Sequence, residues 1–221
     1  MLIVRCSPHS ERRKQHRYEV TTGMKALSRT HNAMILILLI ACMIATRFKH
    51  FGDAMHLPDA SMAVLFIGGI YLRRHLAFAG FVALAVLVDW VSVSYAGVSD
   101  FCITPAYAFL LPAYAVLWYG GRACGASRSV LGTLASGFVA ACLSFAISNG
   151  GFYWLGGRYP NPHVAEYAAR LWQWGPLFVR TTMMYIAVAL LARQALRYLV
   201  RNAGSAQIAA EASPSNKQGG H

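Results

Sequence analysis

Five side chains stand out by chemical type in an otherwise apolar chain: His50, Asp89, Cys102, Tyr107 and Arg180. Cys102 lies in VSDFCITPAY, residues 98–107, between two long apolar runs. Thr104-Pro105 reads as an N-cap followed by a first helical residue, so a helix begins just after the cysteine. The partial positive charge at that helix end favours a thiolate, and Asp100 opposes it by like charge. A thiolate there is a nucleophile or a ligand for a soft metal centre. The plainer alternative is an inert, partly buried cysteine that packs as a small hydrophobe.

Asp89, in AVLVDWVSV, and Arg180, in GPLFVRTTM, interrupt apolar runs. Charged groups in hydrocarbon are costly and face a cavity or a partner. Two readings follow: an Asp89–Arg180 ion pair joining two helices, or a polar wall for a pocket. His50 follows the first apolar run and alone would read as a solvated histidine. Tyr107 falls in the first turn of the helix after Cys102. At a rise of about 1.5 Å per residue, Asp89 and Arg180 lie about 5–12 Å inside one membrane boundary. All five residues therefore map to the same third of the protein.

The elements that position them are membrane helices. The 221 residues are 57% hydrophobic and 13% charged, with mean hydropathy +0.43. Apolar runs near bilayer length recur. The fold class is an all-α integral membrane protein with six transmembrane helices, at 33–47, 60–72, 75–96, 105–120, 129–148 and 176–199. The second and fourth are short for a full span, which leaves room for loop backbone lining a pocket. Gly68-Gly69 weakens the second helix and Pro112 kinks the fourth. Residues 33–199 form the membrane domain. Residues 1–32 read as a disordered cytoplasmic extension, with Met24 an alternative start, and 200–221 as a disordered tail. No cleavage pattern marks a signal peptide.

Of the 20 lysines and arginines, fifteen fall in alternate segments: the N-terminal extension, the 73–74 turn, the 121–128 loop and the C-terminal part. Arg47, Lys49, Arg158 and Arg170 fall in the opposite set. By the positive-inside rule both termini are cytoplasmic, and the loops around 48–59, 97–104 and 149–175 face outward. The net charge of +12 thus resides in loops and tails rather than on a nucleic-acid-binding face. The five cysteines, Cys6, Cys42, Cys102, Cys124 and Cys142, form no CxxC pair or disulfide framework.

One cysteine cannot hold a bare metal ion tightly, but it can supply the axial bond to a metal already held by a macrocycle such as haem or corrin. The haem-attachment signature C-x-x-C-H is absent, as is D-x-H-x-x-G, by which soluble corrinoid enzymes present a histidine to cobalt.

Six helices with both termini inside, short second and fourth helices and an outward pocket resemble the substrate-binding S components of energy-coupling-factor vitamin transporters. Over residues 33–199, His50, Asp89, DFCITPAY with Cys102 and Tyr107, and Arg180 resemble the BtuM-type cobalamin-specific members. The resemblance implies a bacterial inner-membrane protein that binds vitamin B12 (cobalamin) from the outer side as transported ligand. Cys102 would replace the dimethylbenzimidazole base on cobalt, with His50, Asp89, Tyr107 and Arg180 lining or supporting the pocket. It also implies a transmembrane coupling protein packed on small residues of the first helix, here Ala41-x-x-x-Ala45. The chain has no ATP-binding motif, so any ATP-driven step belongs to partner ATPases.

Two alternatives stay open. One is a membrane-embedded cysteine enzyme in which His50, Asp89 and Cys102 perform acyl transfer with Arg180 near the oxyanion; no glycine-rich nucleophile turn surrounds Cys102. The other is an S component for another vitamin, with Cys102 incidental. The charge alternation itself makes a prediction. In a background lacking other reactive thiols, cysteines placed at 53 and 160 should react with an impermeant reagent in intact cells, and those at 74 and 124 should not. Labelling at 74 would overturn the orientation.

Overall fold

The computed structural model describes residues 30–47, 58–95, 104–125 and 129–212, with side chains left out at 204 and 206–212. His50 and Cys102 lie outside these residues. The described chain is all-helical. It comprises α1 (Thr30–Arg47), α2 (Ser61–Tyr71), α3 (His75–Tyr95), a 3-10 turn (Pro105–Phe109), α4 (Leu110–Cys124), α5 (Val130–Leu155) and α6 (Val164–Ala212). Four of them, α1, α3, α5 and α6, are long and apolar enough to cross a bilayer. Large apolar side chains such as Ile37, Leu87, Phe138 and Leu191 are exposed on these helices. A soluble domain rarely leaves so much apolar surface uncovered, whereas lipid covers it without cost.

The short helix α2 is the axis of the bundle. Of its 11 residues, Ser61, Ala63, Val64, Leu65, Phe66, Gly68, Gly69 and Ile70 are buried. An all-round apolar helix must be enclosed, and the neighbouring helices enclose this one. Its core partners include Met43 of α1, Phe81 of α3, Leu117 and Trp118 of α4 and Ile186 of α6.

Glycines set how closely the helices approach. A Cβ on Gly69 would collide with the Trp118 carbonyl, and one on Gly121 with the Phe66 carbonyl. A Cβ on Gly68 would come within 2.6 Å of the Trp118 ring. Gly69 and Gly121 therefore form one backbone-to-backbone crossing of α2 and α4, with Gly68 against the Trp118 ring and Gly120 facing Ala140 of α5. On α5, a Cβ on Gly151 would strike the Phe109 ring, and one on Gly150 would come within 3.0 Å of the Tyr167 hydroxyl.

The boundaries differ from the sequence reading in four places, each with a physical reason. Helix α5 continues past Asn149-Gly150-Gly151 to Leu155 because the two glycines serve contact rather than termination. Helix α6 begins at Val164 and runs through Pro176, which was read as its first residue. Only the intrahelical bond to the Trp172 carbonyl is forfeited there. Helix α6 also continues to Ala212, into the segment read as disordered, where Ala, Gln and Glu favour helix. Pro112 falls in the first turn of α4, where little hydrogen bonding is lost. The irregularity lies just before it, at the junction of the 3-10 turn and α4.

Gly121→Ala should lower the thermal stability of the detergent-solubilised protein by about 1–3 kcal/mol, the usual range for overpacking. Gly80→Ala, where an added Cβ meets nothing within 4 Å, should leave it within about 0.5 kcal/mol. Equal melting of the two variants would refute the close crossing.

Candidate functional site

The last residue of α1, Arg47, is 5% exposed. A guanidinium at that depth needs carboxylate partners, and it has two. Its Nε donates to Asp89 Oδ1 at 2.7 Å and its Nη2 to Asp89 Oδ2 at 2.6 Å, a bidentate fork. Its Nη1 donates to Asp59 Oδ2 at 3.3 Å and to Ser61 Oγ at 3.0 Å. The buried Tyr114 hydroxyl of α4 is also bonded to Arg47. One side chain thus joins α1, the start of α2, α3 and α4.

Local sequence holds the partners in place. Asp59 Oδ1 accepts from the Ser61 N–H at 2.9 Å and from Ser61 Oγ at 2.6 Å, an Asx-type turn that opens α2. Thr46 Oγ1 accepts the Ala60 N–H at 3.1 Å and donates to the Cys42 carbonyl at 2.9 Å. Asp89 lies on the α3 face marked by the buried residues Phe81, Ala85, Val88 and Ser92. Tyr107, in the 3-10 turn, donates its hydroxyl to Asp89 Oδ2 at 2.6 Å.

Asp89 and Tyr107, both singled out from sequence, therefore meet. Asp89 does not pair with Arg180, as the ion-pair reading expected; its cation is Arg47. Arg180 is exposed on α6. At about 100° per residue it points about 160° away from Thr182, which with Ile186 and Leu190 forms the buried stripe of that helix. Ala41 and Ala45 are both exposed on α1. Arg47, Asp59 and Ser61 were missed as site residues. The available signal was that Arg47 closes an apolar run at the same membrane end to which the charge count assigns Asp89.

Thr104 caps the 3-10 turn by backbone only: Tyr107 N–H donates to its carbonyl at 2.8 Å, and its side chain makes no cap bond. Among the described residues, four buried side-chain polar atoms have no hydrogen-bond partner: Trp118 Nε1 in the core, and Thr104 Oγ1, Asn149 Oδ1 and Arg170 Nε. The last three belong to the same end of the bundle, where Phe109 meets Gly151. Nearby, Tyr153 donates to Glu166 Oε2 at 2.9 Å and accepts the His163 N–H at 2.9 Å. The Arg170 guanidinium lies 4.6 Å from the Tyr159 ring centroid. His50 and Cys102, also singled out from sequence, lie outside the described residues.

Chemically, the site is a fixed floor. Asp89 accepts three hydrogen bonds, from two guanidinium nitrogens and a phenol, so little acceptor capacity remains for a catalytic histidine. Among the described residues, no group of three or more His, Cys, Asp or Glu side chains converges as a metal site. No protein-family profile matches the chain, and no characterised protein matches it.

Removing one member of a buried pair strands the other. Arg47→Met and Asp89→Asn should each destabilise the protein by about 3–5 kcal/mol, and the double variant should lose clearly less than the sum. Arg180→Gln should change stability by no more than about 0.5 kcal/mol. Additive losses for Arg47 and Asp89, measured by thermal melting in detergent, would contradict the pairing.

Proposed function

We propose that this chain is the cobalamin-binding component of a vitamin B12 uptake system. It would be a six-helix protein of a bacterial inner membrane with both termini in the cytoplasm, as the resemblance to BtuM-type S components implies. The observation that carries this reading is the Tyr107–Asp89 hydrogen bond. It anchors the 3-10 turn to a rigid ion-pair network, and the anchored Tyr107 follows Cys102 by five residues in the chain. Unpartnered polar atoms at the same end, on Thr104, Asn149 and Arg170, suit a large polar ligand better than a closed apolar core.

The chemistry follows from cobalt. Four corrin nitrogens fill its equatorial positions, leaving only axial bonds to the protein. The Cys102 thiolate forms a Co–S bond as the bond from cobalt to the dimethylbenzimidazole nitrogen breaks, and the thiol proton passes to solvent. As a strong donor, the thiolate weakens the bond opposite, so cyanide in cyanocobalamin leaves more readily. His50 borders the ligand, Tyr107 and Asp89 support it, and Arg180 has no role in holding Asp89. The exposed Ala41 and Ala45 of α1 are the face offered to a coupling protein and its ATPases.

The cysteine-enzyme alternative loses support on two counts. Asp89 is occupied by Arg47 and Tyr107, and Arg180 is turned away from the buried stripe of its helix. An S component for another vitamin remains the rival that the experiment must separate.

Protein purified after growth with cobalamin should be coloured, with absorption bands shifted by thiolate on cobalt. Cys102→Ser should abolish the shift and reduce cobalamin-dependent growth of a strain lacking its own importer. Cys42→Ser and Cys142→Ser should do neither. A Cys102→Ser protein with an unchanged spectrum and unchanged growth would sink the axial-ligand claim.

A further inference from the structure

The opposite end of the bundle carries an arrangement that cobalamin binding does not use. A cavity of about 160 Å³ opens between the start of α5 and the middle of α6. Ser129 and Val130 line it from α5, and Leu190, Arg193, Gln194 and Arg197 from α6. Arg193 and Arg197 are four residues apart and so share one helix face. Among the described side chains, the charge around the cavity has a single sign. Arg73, Arg74 and Arg122 belong to the same end, with Arg73 reaching toward Gly125 where α4 stops. The carboxylates among the described side chains, Asp59, Asp89 and Glu166, all belong to the other end, in the Arg47 network or beside Tyr153.

The walls are amphipathic as well as basic. Val130 and Leu190 make part of the lining apolar. Val130 is 42% exposed, so the apolar part of the lining is open rather than sealed. A free anion would gain nothing from these apolar side chains, but an anion attached to acyl chains would cover them. Guanidinium groups suit phosphate because their planar fork donates two hydrogen bonds at once. Arg193 already has a partner within the chain, and with five N–H donors it retains capacity for a second. The partial positive charge of the α5 N-terminus adds to theirs.

We propose that this cavity binds the phosphodiester headgroup of an anionic phospholipid, with the acyl chains lying along the exposed faces of α5 and α6. Phosphate is the recognised chemistry, and the adjoining apolar surface commits the site to membrane lipid rather than free phosphate. At the arginine-rich end, the positive-inside rule assigns the lipid to the cytoplasmic leaflet. The site stands independently of the cobalamin reading.

The test is native mass spectrometry of the full chain in mild detergent, titrated with phosphatidylglycerol, with phosphatidylcholine, or with phosphatidylglycerol in the presence of inorganic phosphate. Phosphatidylglycerol should bind in preference to phosphatidylcholine and persist against millimolar phosphate. Arg197→Gln should weaken it about fivefold, and Arg193→Gln with Arg197→Gln about twenty-five-fold. Arg201→Gln, one turn further along α6 and outside the lining, should change it less than about twofold. If the double variant does not fold, Arg197→Gln decides alone, since Arg197 is exposed. Displacement by inorganic phosphate would mean a free-anion site and overturn the proposal. Equal retention of the two lipids, or equal loss in the Arg197 and Arg201 variants, would reduce it to general surface charge and overturn it too.

Discussion

A guanidinium cannot be left without counter-charge inside a helical bundle, and the upper half of this structure is arranged around that constraint. Removing Arg47 from water costs several kcal/mol, recovered only if carboxylates meet it in good geometry. The fork to Asp89 and the contacts to Asp59 and Ser61 meet it. The partners come from two separate stretches of chain, so satisfying one charge fixes the end of α1, the start of α2 and the depth of α3 together. Tyr107 extends the same network to the 3-10 turn. The 3-10 turn is therefore held by an ion pair that belongs to three other elements.

The lower half depends on a different device. Helices in lipid gain little from apolar burial against each other and rely on close contact. Gly69 and Gly121 bring the backbones of α2 and α4 together, with the fully buried Trp118 ring against Gly68. This crossing lets an 11-residue helix serve as the axis of the bundle without spanning the membrane. The Arg47 network sits at the N-terminal end of this short helix, and the unpartnered polar atoms of Thr104, Asn149 and Arg170 belong to the same end of the bundle.

The long apolar helices were legible in the sequence because bilayer thickness imposes a length on every span. Asp89 was legible for the same reason, since an ionised group in such a run must have a purpose. Its partner was not. In a membrane helix the lipid-facing and core-facing sides are both apolar, so periodicity does not reveal which way Arg180 points. Arg47 was hidden by position: at the end of an apolar run it read as an interfacial loop charge rather than a buried one. The glycine pairs were visible but misread. In water Gly-Gly suggests a weakened or ended helix, whereas at 68–69 and 150–151 it marks where another element presses close. His50 and Cys102 lie outside the described residues.

The state of Asp89 separates a binding floor from a catalytic site. A carboxylate that orients a histidine needs a free lone pair aimed at the imidazole, and it gains from exchanging partners as charge moves. Asp89 is held by two guanidinium nitrogens and a phenol at 2.6–2.7 Å, so any exchange would expose Arg47 at a cost of several kcal/mol. Such a group resists change as a ligand arrives. That rigidity is of little use to acyl transfer, which needs a proton acceptor. It fixes the geometry of the network on folding, so whatever the network positions is pre-organised rather than ordered later.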